Sequence, residues 1–404
     1  MDATKNDQLF FQKTKLGTCV IVGGYGYLGQ RLLHKLYQWK ELERVNDIIV
    51  IDIQKVSDND RQRYIGVEFL NYSVGTGQLH KLEQYWKKIR NGTIFFVAAC
   101  ASTELSLEKA YKTNVQGVEE LLSIAQLYGA KAFVLTSTHN VVFNGTREWF
   151  YQDESIPIVD NFMDVYSQTK AESERITLGS NGIWNVHTCA LRPGGIYGAG
   201  EKVHFERIRK LAQWGLLYFL ISPVVDKNMD FCHVDNLVDA HILAAQQLQL
   251  EASHPETPTT TSGNAFFITE NDPQCLQTFY IPVLLASGIS PPLFTLHIPR
   301  KLVYPFAVCT EWIAKHWPLG PAKPILMPME LLKSTMVHTF SYEKATKAFG
   351  YVPRKSIREG MEEWCRYEQQ RHRIGNENKW NSSIFLRVIV VILWLFFFTV
   401  LRQG

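Results

Sequence analysis

The residues best suited to do chemistry are a tyrosine and a lysine four positions apart, Tyr166 and Lys170 in YSQTK. On a helix this spacing places both side chains on one face. An ammonium beside a phenol stabilises the phenolate and lowers the pKa of the phenol, so we expect Tyr166 to exchange a proton with a substrate hydroxyl or carbonyl. A second copy of the pattern, Tyr351 to Lys355, contains Pro353, which disrupts a helix and separates the two side chains.

Three hydroxyl side chains, Thr136, Ser137 and Thr138, follow the apolar run Ala132 to Leu135, which predicts a strand. In a parallel sheet the carboxyl ends of the strands line the ligand crevice, so a hydroxyl at this point orients the reacting oxygen atom. Together with the phenol of Tyr166, this hydroxyl cluster predicts a site that transfers hydride between an alcohol and a carbonyl compound.

A glycine-rich turn predicts where a cofactor binds. Gly23, Gly26 and Gly29 lie between the apolar run Thr18 to Ile21 and a segment that reads as helical, Tyr27 to Tyr37. A backbone without Cβ atoms approaches a pyrophosphate group closely there, and the start of a helix attracts the negative charge. The alternative is an ordinary tight turn of an α/β domain.

An acid near the end of the next apolar run distinguishes between the two nicotinamide cofactors. Asp52 lies in the run Ile48 to Ile53, where the ribose of a dinucleotide meets the tip of the second strand. Its carboxylate accepts hydrogen bonds from a free ribose 2′-hydroxyl and repels a 2′-phosphate, so NAD is favoured over NADP. A solvated acid at the end of a strand is the alternative.

Strands that alternate with helices must position these residues. The pattern predicts the α/β class: a doubly wound parallel (Rossmann) sheet, a smaller mixed α/β substrate domain and a C-terminal membrane anchor. The predicted strands are Cys19 to Val22, Ile48 to Ile53, Val67 to Leu70, Ile94 to Ala98, Ala132 to Leu135 and Val186 to Leu191, and the clearest helices are Glu104 to Leu127 and Phe162 to Leu178. The predicted division is a tail (1–15), the NAD-binding Rossmann domain (16–190), a substrate-binding region (191–370), a linker (371–383) and the anchor (384–401).

The bulk composition narrows the function classes. With 404 residues, 46% hydrophobic and 20% charged, the chain is globular rather than disordered. The net charge of +3 and the absence of a basic stretch interleaved with aromatic residues argue against a nucleic-acid partner. Seven cysteines are scattered without the spacing of a metal site or a disulfide framework, so we predict reduced cysteines and no metal.

The other end of the chain carries the predicted membrane anchor. The run Val388 to Leu401 has 14 residues without a charge, and it reaches 18 from Ile384 if Arg387 snorkels. The longer span covers about 27 Å, which suits a thin bilayer such as that of the endoplasmic reticulum. Because basic residues precede this segment and only Arg402 follows it, we predict a single-pass protein whose catalytic part faces the cytosol. A buried C-terminal helix is the alternative.

These motifs occur in the order of a known family. The glycine turn, Asp52, VAA (Val97 to Ala99), TNVQG, TSTHNVVF, YSQTK and LRPGGIYG (Leu191 to Gly198) resemble an extended short-chain dehydrogenase/reductase. DFCHVDNLVDAHILA (Asp230 to Ala244) and FSYEKATKAFGYVP (Phe340 to Pro353) resemble its 3β-hydroxysteroid dehydrogenase family, and GGIYGAGE with the anchor is most similar to the family 42E branch. The resemblance covers about residues 16 to 401.

The resemblance implies catalytic roles for five residues. Tyr166 would be the general acid/base, and Lys170 would be its pKa partner and a ligand of the nicotinamide ribose. Thr138 matches the usual catalytic serine of the family, although the neighbouring Ser137 is an alternative hydroxyl donor. Asn114 would help to order its helix and a water that relays protons, or it would only cap the start of a helix.

The resemblance also implies a set of cofactor contacts. Asn71 stands where many relatives carry an acid that binds the adenine amine, and its amide oxygen still accepts that hydrogen bond. Arg192 and Pro193 would lie beside the nicotinamide. The implied cofactor-binding residues are Gly23, Gly26, Tyr27, Leu28, Gly29, Asp52, Asn71, Ala98, Ala99, Lys170, Arg192 and Pro193.

The expected function is NAD-dependent oxidation of a 3β-hydroxysteroid or sterol to the 3-keto product, with double-bond isomerisation left open. The apolar stretch Leu211 to Val225 and the anchor suit a lipophilic substrate and a contact with membrane lipid. The resemblance suggests a homodimer through the helices near Asn114 and Tyr166. Three alternatives remain: a decarboxylating sterol-4-carboxylate 3-dehydrogenase, a nucleotide-sugar epimerase and a non-catalytic NAD-binding membrane scaffold. The epimerase is disfavoured because Met229 stands where those enzymes carry an arginine that grips the substrate diphosphate, although Arg207, Arg209 and Lys210 are cations that could compensate.

Overall fold

A computed structural model describes residues 14–100, 104–213, 219–254, 258–289, 295–316 and 326–374, and residues 256 and 324. Within them the strands are β1 Cys19–Val22, β2 Ile48–Asp52, β3 Val67–Asn71, β4 Thr93–Phe96, β5 Ala132–Thr136, β6 Trp149–Gln152, β7 His187–Pro193, β8 Gly195–Tyr197, β9 Phe219–Ser222, β10 Phe231–His233, β11 Asn264–Ile268, β12 Leu296–Pro299 and β13 His338–Phe340. The helices are α1 Tyr27–Glu41, α2 Asp58–Arg63, α3 Glu83–Trp86, α4 Leu107–Tyr111, α5 Gly117–Tyr128, α6 Val165–Gly179, α7 Val203–Gln213, α8 Val234–Ser253, α9 Ile281–Ala286, α10 Arg300–His316, α11 Pro328–Thr335, α12 Glu343–Phe349 and α13 Ile357–Ile374. Short 3₁₀ turns span Leu79–Lys81, Lys87–Ile89, His139–Val142 and Ile183–Asn185.

The centre of the molecule is a seven-stranded sheet in the order β11-β7-β5-β4-β1-β2-β3. All of its strand pairs are parallel. The chain builds outward from β1 in one direction through β2 and β3, and then returns to β4 and builds in the other direction. The order therefore reverses between β1 and β4, and in such sheets ligands bind at the carboxyl ends of the strands beside this point.

Helices cover both faces of the sheet because its strands are apolar on both sides. Cys19 and Ile21 of β1 belong to the core formed with α1 and α8. Val20 and Val22 belong to the core on the opposite face, which α5 covers. This alternation follows from the two-residue period of a strand and is typical of a doubly wound parallel sheet.

The second region consists of short paired strands and an aromatic core. β8 pairs with β10, β9 with β12 and β6 with β13, each in parallel. Phe231 and Phe279 stack with ring centroids 3.6 Å apart, and Tyr197 and Trp364 belong to the same buried cluster. Aromatic side chains bury a large area each, so few residues suffice for this smaller core.

The α/β prediction and its parallel sheet are confirmed, and all six predicted strands are present, β1 with the predicted ends and the others with ends shifted by one or two residues. The seventh strand, β11, comes from the segment that the predicted division assigned to the substrate region, and α8 from that segment covers the sheet. The chain thus returns to the Rossmann sheet after residue 190. The predicted anchor, 384–401, lies outside the described residues, and no described helix is both long enough and apolar enough to cross a membrane.

Candidate active site

The glycine turn forms a tightly packed crest with no room for side chains at two of its glycines. Gly23 has a φ of +87°, and a Cβ there would lie 2.7 Å from the backbone nitrogen of Ala98, which follows β4. A Cβ on Gly29 would overlap the carbonyl oxygen of Gly23 and come within 2.7 Å of the Gly24 Cα. Helix α1 therefore starts in direct contact with the crest, a close packing of backbone that only glycine allows at these two positions.

The start of α1 offers backbone amides to an anion. Its N-cap is Gly26, no side chain caps the helix, and the first turn holds no acid. The side chain of Leu28 is buried in the core, and the Tyr27 hydroxyl lies beside Gly198. Of these predicted cofactor residues, Tyr27 and Leu28 thus have their N–H groups rather than their side chains to offer, and a pyrophosphate fits such a helix start.

A cavity of about 370 Å³ opens next to Asp52. One Asp52 oxygen accepts a hydrogen bond from the Tyr25 amide at 2.8 Å and the other accepts one from the Gln54 amide at 2.9 Å, so the carboxylate is held in a fixed orientation. Asn71 donates through its side-chain NH₂ to the carbonyl oxygens of Asp52 and Ile53, at 3.1 and 2.8 Å. Since that leaves the amide oxygen of Asn71 as an acceptor, the cavity fits an adenosine.

The Tyr166 phenol and the Thr138 hydroxyl meet at the carboxyl edge of the sheet. Tyr166 lies in the first turn of α6, whose N-cap Asp164 accepts the Ser167 amide at 2.7 Å. Burial raises the pKa of Tyr166 to about 12, the nearby Asp164 adds to the rise, and a hydrogen bond with the Thr138 side chain opposes it. The structure therefore brings together the predicted proton carrier and the predicted orienting hydroxyl.

Lys170 is buried, and its ammonium donates to the backbone carbonyl of Thr136. Burial lowers the pKa of Lys170 to about 8, while the nearby Glu174 raises it. The pKa of Tyr166 is raised rather than lowered, because burial removes water from the phenol, and Lys170 is not among the groups that act on this pKa. Lys170 holds α6 against the end of β5 instead.

The structure separates Ser137 from the phenol. The hydroxyl of Ser137 donates to Glu174 at 2.5 Å, and its amide donates to the Leu191 carbonyl. Neighbouring residues at a strand end point to opposite sides, so Thr138 and Ser137 cannot both face the crevice. The structure favours Thr138 as the hydroxyl at the site.

Glu174 is the residue that reasoning from the sequence missed. It is fully buried and accepts hydrogen bonds from Arg192 Nε, 3.1 Å from each carboxylate oxygen, and from Arg192 Nη2. Together with the Ser137 bond, this ion pair ties α6 to the ends of β5 and β7. Its position four residues after Lys170, on the same helical face, is a signal that the sequence did contain.

Arg192 and the next residue, Pro193, lie at the edge of the crevice, where their contacts are with other parts of the protein. The Arg192 guanidinium lies 5.3 Å from the centroid of the Phe267 ring, and its Nη1 is buried with no partner among the described residues. Pro193 ends β7 and pairs in register with Ile268 of β11. Ala99, by contrast, is exposed beyond the end of β4.

Asn114 connects two parts of the site. It lies in the π-helical segment Lys112–Gln116, and such segments are frequent at functional sites. Its side-chain oxygen accepts the Cys100 amide at 2.9 Å, and its NH₂ donates to the Thr169 hydroxyl at 2.9 Å. Asn114 is thus buried inside a helical run rather than at its start, and it links the chain after β4 to the residue before Lys170.

The arginine that binds the substrate diphosphate in nucleotide-sugar epimerases is replaced here by Met229, and two nearby arginines in the sequence form ion pairs within the protein. Met229 is buried in the aromatic core. Arg207 forms an ion pair with Glu330 at 2.8 Å, and Arg209 forms one with Glu206 at 2.7 Å. Carboxylates thus already engage Arg207 and Arg209, and the Met229 side chain offers no donor to a phosphate.

Comparisons of the sequence and of the fold with known proteins give the family to which this site belongs. The sequence model of the 3-beta hydroxysteroid dehydrogenase/isomerase family matches residues 20–298. Short-chain dehydrogenase/reductase family 42E member 1 of Xenopus laevis is 33% identical over 402 residues, covering 94% of this chain and 97% of the relative. A decarboxylating sterol-4-alpha-carboxylate 3-dehydrogenase of Saccharomyces cerevisiae is 30% identical over 361 residues, covering 86% and 97%. Among solved structures, dTDP-glucose 4,6-dehydratase of Streptomyces venezuelae shares the fold, with a TM-score of 0.63, 16% identity and coverage of 89% and 99%.

Proposed function

Because the chain belongs to the 3-beta hydroxysteroid dehydrogenase/isomerase family, we propose that it oxidises the 3β-hydroxyl of a steroid or sterol to a ketone with NAD. The observation that carries this proposal is that the Tyr166 phenol interacts with the Thr138 side chain at the edge of the sheet that also bears the glycine crest. A proton carrier and a dinucleotide cradle on one edge are what the oxidation of an alcohol requires.

The fit of NAD rests on the close backbone packing at Gly23 and Gly29, which only glycine allows, on the uncapped start of α1 and on the cavity beside Asp52. When bound, NAD supplies the acceptor for the hydride that leaves the substrate carbon. Asp52 would accept hydrogen bonds from the adenosine ribose, and the amides of the first turn of α1 would bind the pyrophosphate. Lys55 and Arg61 also line the cavity, and Asp58 joins Asp52 in supplying negative charge there.

In the oxidation, the Tyr166 oxygen takes the proton of the substrate hydroxyl while Thr138 orients that hydroxyl. Tyr166 must be a phenolate to do so, yet its pKa is about 12 in the protein alone. Lys170 loses its proton first, at about pH 8.

A 4-carboxylated sterol is a second candidate substrate. Two relatives support it: the yeast enzyme above and a 3beta-hydroxysteroid-dehydrogenase/decarboxylase of Arabidopsis thaliana, 27% identical over 393 residues. Oxidation at C3 places a ketone beside the carbon that bears the carboxylate, so the bond to CO₂ breaks and its electrons pass to the ketone. Lys333 of α11 is a cation near Asp164, two residues before Tyr166, and burial lowers its pKa.

We also propose that the chain resides at the endoplasmic reticulum with its catalytic part in the cytosol. The support is the uncharged run Val388 to Leu401 and the basic residues that precede it. A substrate that dissolves in lipid fits this location.

The test incubates the full chain with NAD and four substrates, and it follows NADH by absorbance and the products by mass spectrometry. The substrates are a 3β-hydroxysteroid, its 3α epimer, a 4-carboxysterol and UDP-glucose. We expect NADH from the 3β compounds but not from the 3α epimer, and CO₂ release would identify the carboxysterol as the substrate. Measurable NAD binding without oxidation of any 3β-hydroxyl would overturn the proposal.

A further inference from the structure

His241 of α8 forms a hydrogen bond with the residue that ends β5. Its Nε2 lies 2.7 Å from the Thr136 hydroxyl oxygen, and its Nδ1 lies 2.8 Å from the carbonyl oxygen of Leu237, one turn earlier in the helix. The His241 side chain is fully buried, and its ring faces that of Phe95 in β4, with the ring centroids 6.4 Å apart. Both ring nitrogens are therefore engaged inside the protein.

These two contacts determine which nitrogen of His241 carries the proton. A carbonyl oxygen only accepts hydrogen bonds, so Nδ1 must be the protonated nitrogen that donates to Leu237. Burial lowers the pKa of His241 to about 4, although the bond to Leu237 opposes this change, so the ring is uncharged at neutral pH. In the uncharged ring Nε2 has no proton, and the Thr136 hydroxyl must therefore donate to it.

Thr136 thus bonds to helices on both faces of the central sheet. Its hydroxyl donates to His241 on the face that α8 covers, and its carbonyl oxygen accepts the ammonium of Lys170 from α6 on the other face. The hydroxyl of the next residue, Ser137, donates to a carboxylate of α6. Of the three hydroxyls at this strand end, that leaves Thr138 to orient a substrate.

We propose that His241 is a positioning residue for Lys170, because it holds the residue whose carbonyl oxygen accepts the Lys170 ammonium. Without His241, the Thr136 hydroxyl would be a buried donor without its acceptor, and the end of β5 would shift until the hydroxyl found another. Such a shift moves the carbonyl oxygen and the ammonium that donates to it.

The consequence for catalysis follows from the place of Lys170 on α6. Tyr166 lies one turn before Lys170 on this helix, so a shift at the attachment of α6 to β5 also moves the phenol relative to the Thr138 hydroxyl. Displacements of a fraction of an ångström between reacting groups are enough to slow a reaction. This step rests on the proposed function, whereas the connection from His241 to Lys170 does not.

The first experiment tests the position of the proton on His241. NMR of the full chain with isotope-labelled histidine distinguishes protonated from bare ring nitrogens, and His241→Gln identifies the His241 signals by their loss. We expect an uncharged ring that is protonated at Nδ1, with an Nε2 signal that shifts in Thr136→Val. A ring protonated at Nε2, or an Nε2 signal that Thr136→Val leaves unchanged, would overturn the inference, because Thr136 would then not donate to His241.

The second experiment compares two substitutions that each keep one hydrogen bond of the histidine. The amide in His241→Gln reaches the depth of Nε2 and still accepts from Thr136, whereas the amide in His241→Asn reaches only the depth of Nδ1. We expect kcat for a 3β-hydroxysteroid to fall about tenfold in His241→Asn and in Thr136→Val, with KM for the steroid unchanged. His241→Gln should keep a native kcat.

Gln249, two turns after His241 on α8, provides the matched control. It is 5% exposed, and its side-chain NH₂ donates to the hydroxyl of Thr93 at 3.0 Å, at the amino end of β4. Gln249→Leu therefore removes a buried bond between α8 and the sheet at the edge opposite the candidate site, so it should lower the free energy of unfolding and leave kcat unchanged. A loss of kcat in Gln249→Leu or His241→Gln equal to that in His241→Asn would overturn the inference.

The third experiment needs no turnover. The free energy of unfolding in urea is measured for His241→Asn, for Lys170→Met and for the double variant. Because His241 acts on Lys170 through Thr136, we expect the double variant to lose less stability than the sum of the two single losses. Strictly additive losses would overturn the inference. A native chain that binds NAD but oxidises no 3β-hydroxyl would instead overturn the proposed function alone.

Discussion

Replacing Glu174 by glutamine removes one charge from the buried ion pair behind the candidate site and keeps the size of the side chain. Glu174 is fully buried and the Arg192 side chain is 5% exposed, so the substitution leaves a guanidinium without a counter-ion inside the protein. Removing one partner of such a pair costs about 3–5 kcal/mol. Because the new amide oxygen still accepts one hydrogen bond, we expect the free energy of unfolding to fall by about 3 kcal/mol.

The same helix offers a matched control. Glu172 is 44% exposed and lies 3.7 Å from Arg175. An exposed pair of this kind contributes about 0–1 kcal/mol, so Glu172→Gln should unfold almost as the native chain does. Unfolding in urea, followed by tryptophan fluorescence, measures both variants. If the free energies of unfolding of Glu174→Gln and Glu172→Gln are equal, the reasoning about the buried ion pair is refuted.

Two further readouts separate the ion pair from general damage to the fold. Adding Arg192→Met to Glu174→Gln removes the stranded cation, so the double variant should be more stable than Glu174→Gln alone. Glu174 also raises the pKa of Lys170, so its loss lowers that pKa below about 8. A pH profile of kcat/KM that does not move in Glu174→Gln would contradict this coupling.

Three other predictions follow from the same geometry. Lys170→Met changes how the free energy of unfolding depends on pH. The pKa of Lys170 is lowered from 10.5 to about 8 in the folded protein, so between these two pH values the unfolded chain binds one proton more than the folded chain. The free energy of unfolding of the native chain therefore rises by about 3 kcal/mol from pH 8 to pH 10.5, and that of the variant does not. Free energies of unfolding in urea that change with pH by the same amount in the native chain and in Lys170→Met would contradict this prediction. Thr138→Val should lower kcat about 100-fold without changing NAD affinity. Ser137→Ala should instead lower the free energy of unfolding by about 1.5–3 kcal/mol, because it removes the hydrogen bond to Glu174. A large loss of kcat in Ser137→Ala and a native kcat in Thr138→Val would show that Ser137 is the hydroxyl at the site. Gly29→Ala should weaken NAD binding in calorimetry and destabilise the fold by about 1–3 kcal/mol because its Cβ meets backbone, while Gly179→Ala, with nothing within 4 Å, should do neither.

The parts of the fold that follow from local patterns could be predicted from the sequence. The glycine crest, the six strands and the helix that carries Tyr166 follow from apolar period and glycine spacing, and the family match confirms the family that these motifs suggested. The π-helical segment around Asn114 interrupts the helix predicted from Glu104 to Leu127, and no local propensity predicts it.

Features that depend on distant residues could not be predicted. The pair of Glu174 and Arg192 requires α6 to pack on β7, and this packing also decides that Ser137 faces away from the phenol. The pKa of Lys170 depends on how much water burial removes, which spacing along a helix does not report. The membrane anchor and the cytosolic location stay predictions from the sequence.

The most direct test of the central claim is Tyr166→Phe, which removes only the hydroxyl that carries the proton. NAD affinity, measured by calorimetry, should stay unchanged, while kcat for oxidation of a 3β-hydroxysteroid should fall by about 10²- to 10⁴-fold. Turnover at the native rate with NAD bound would show that another group moves the proton and would contradict the account.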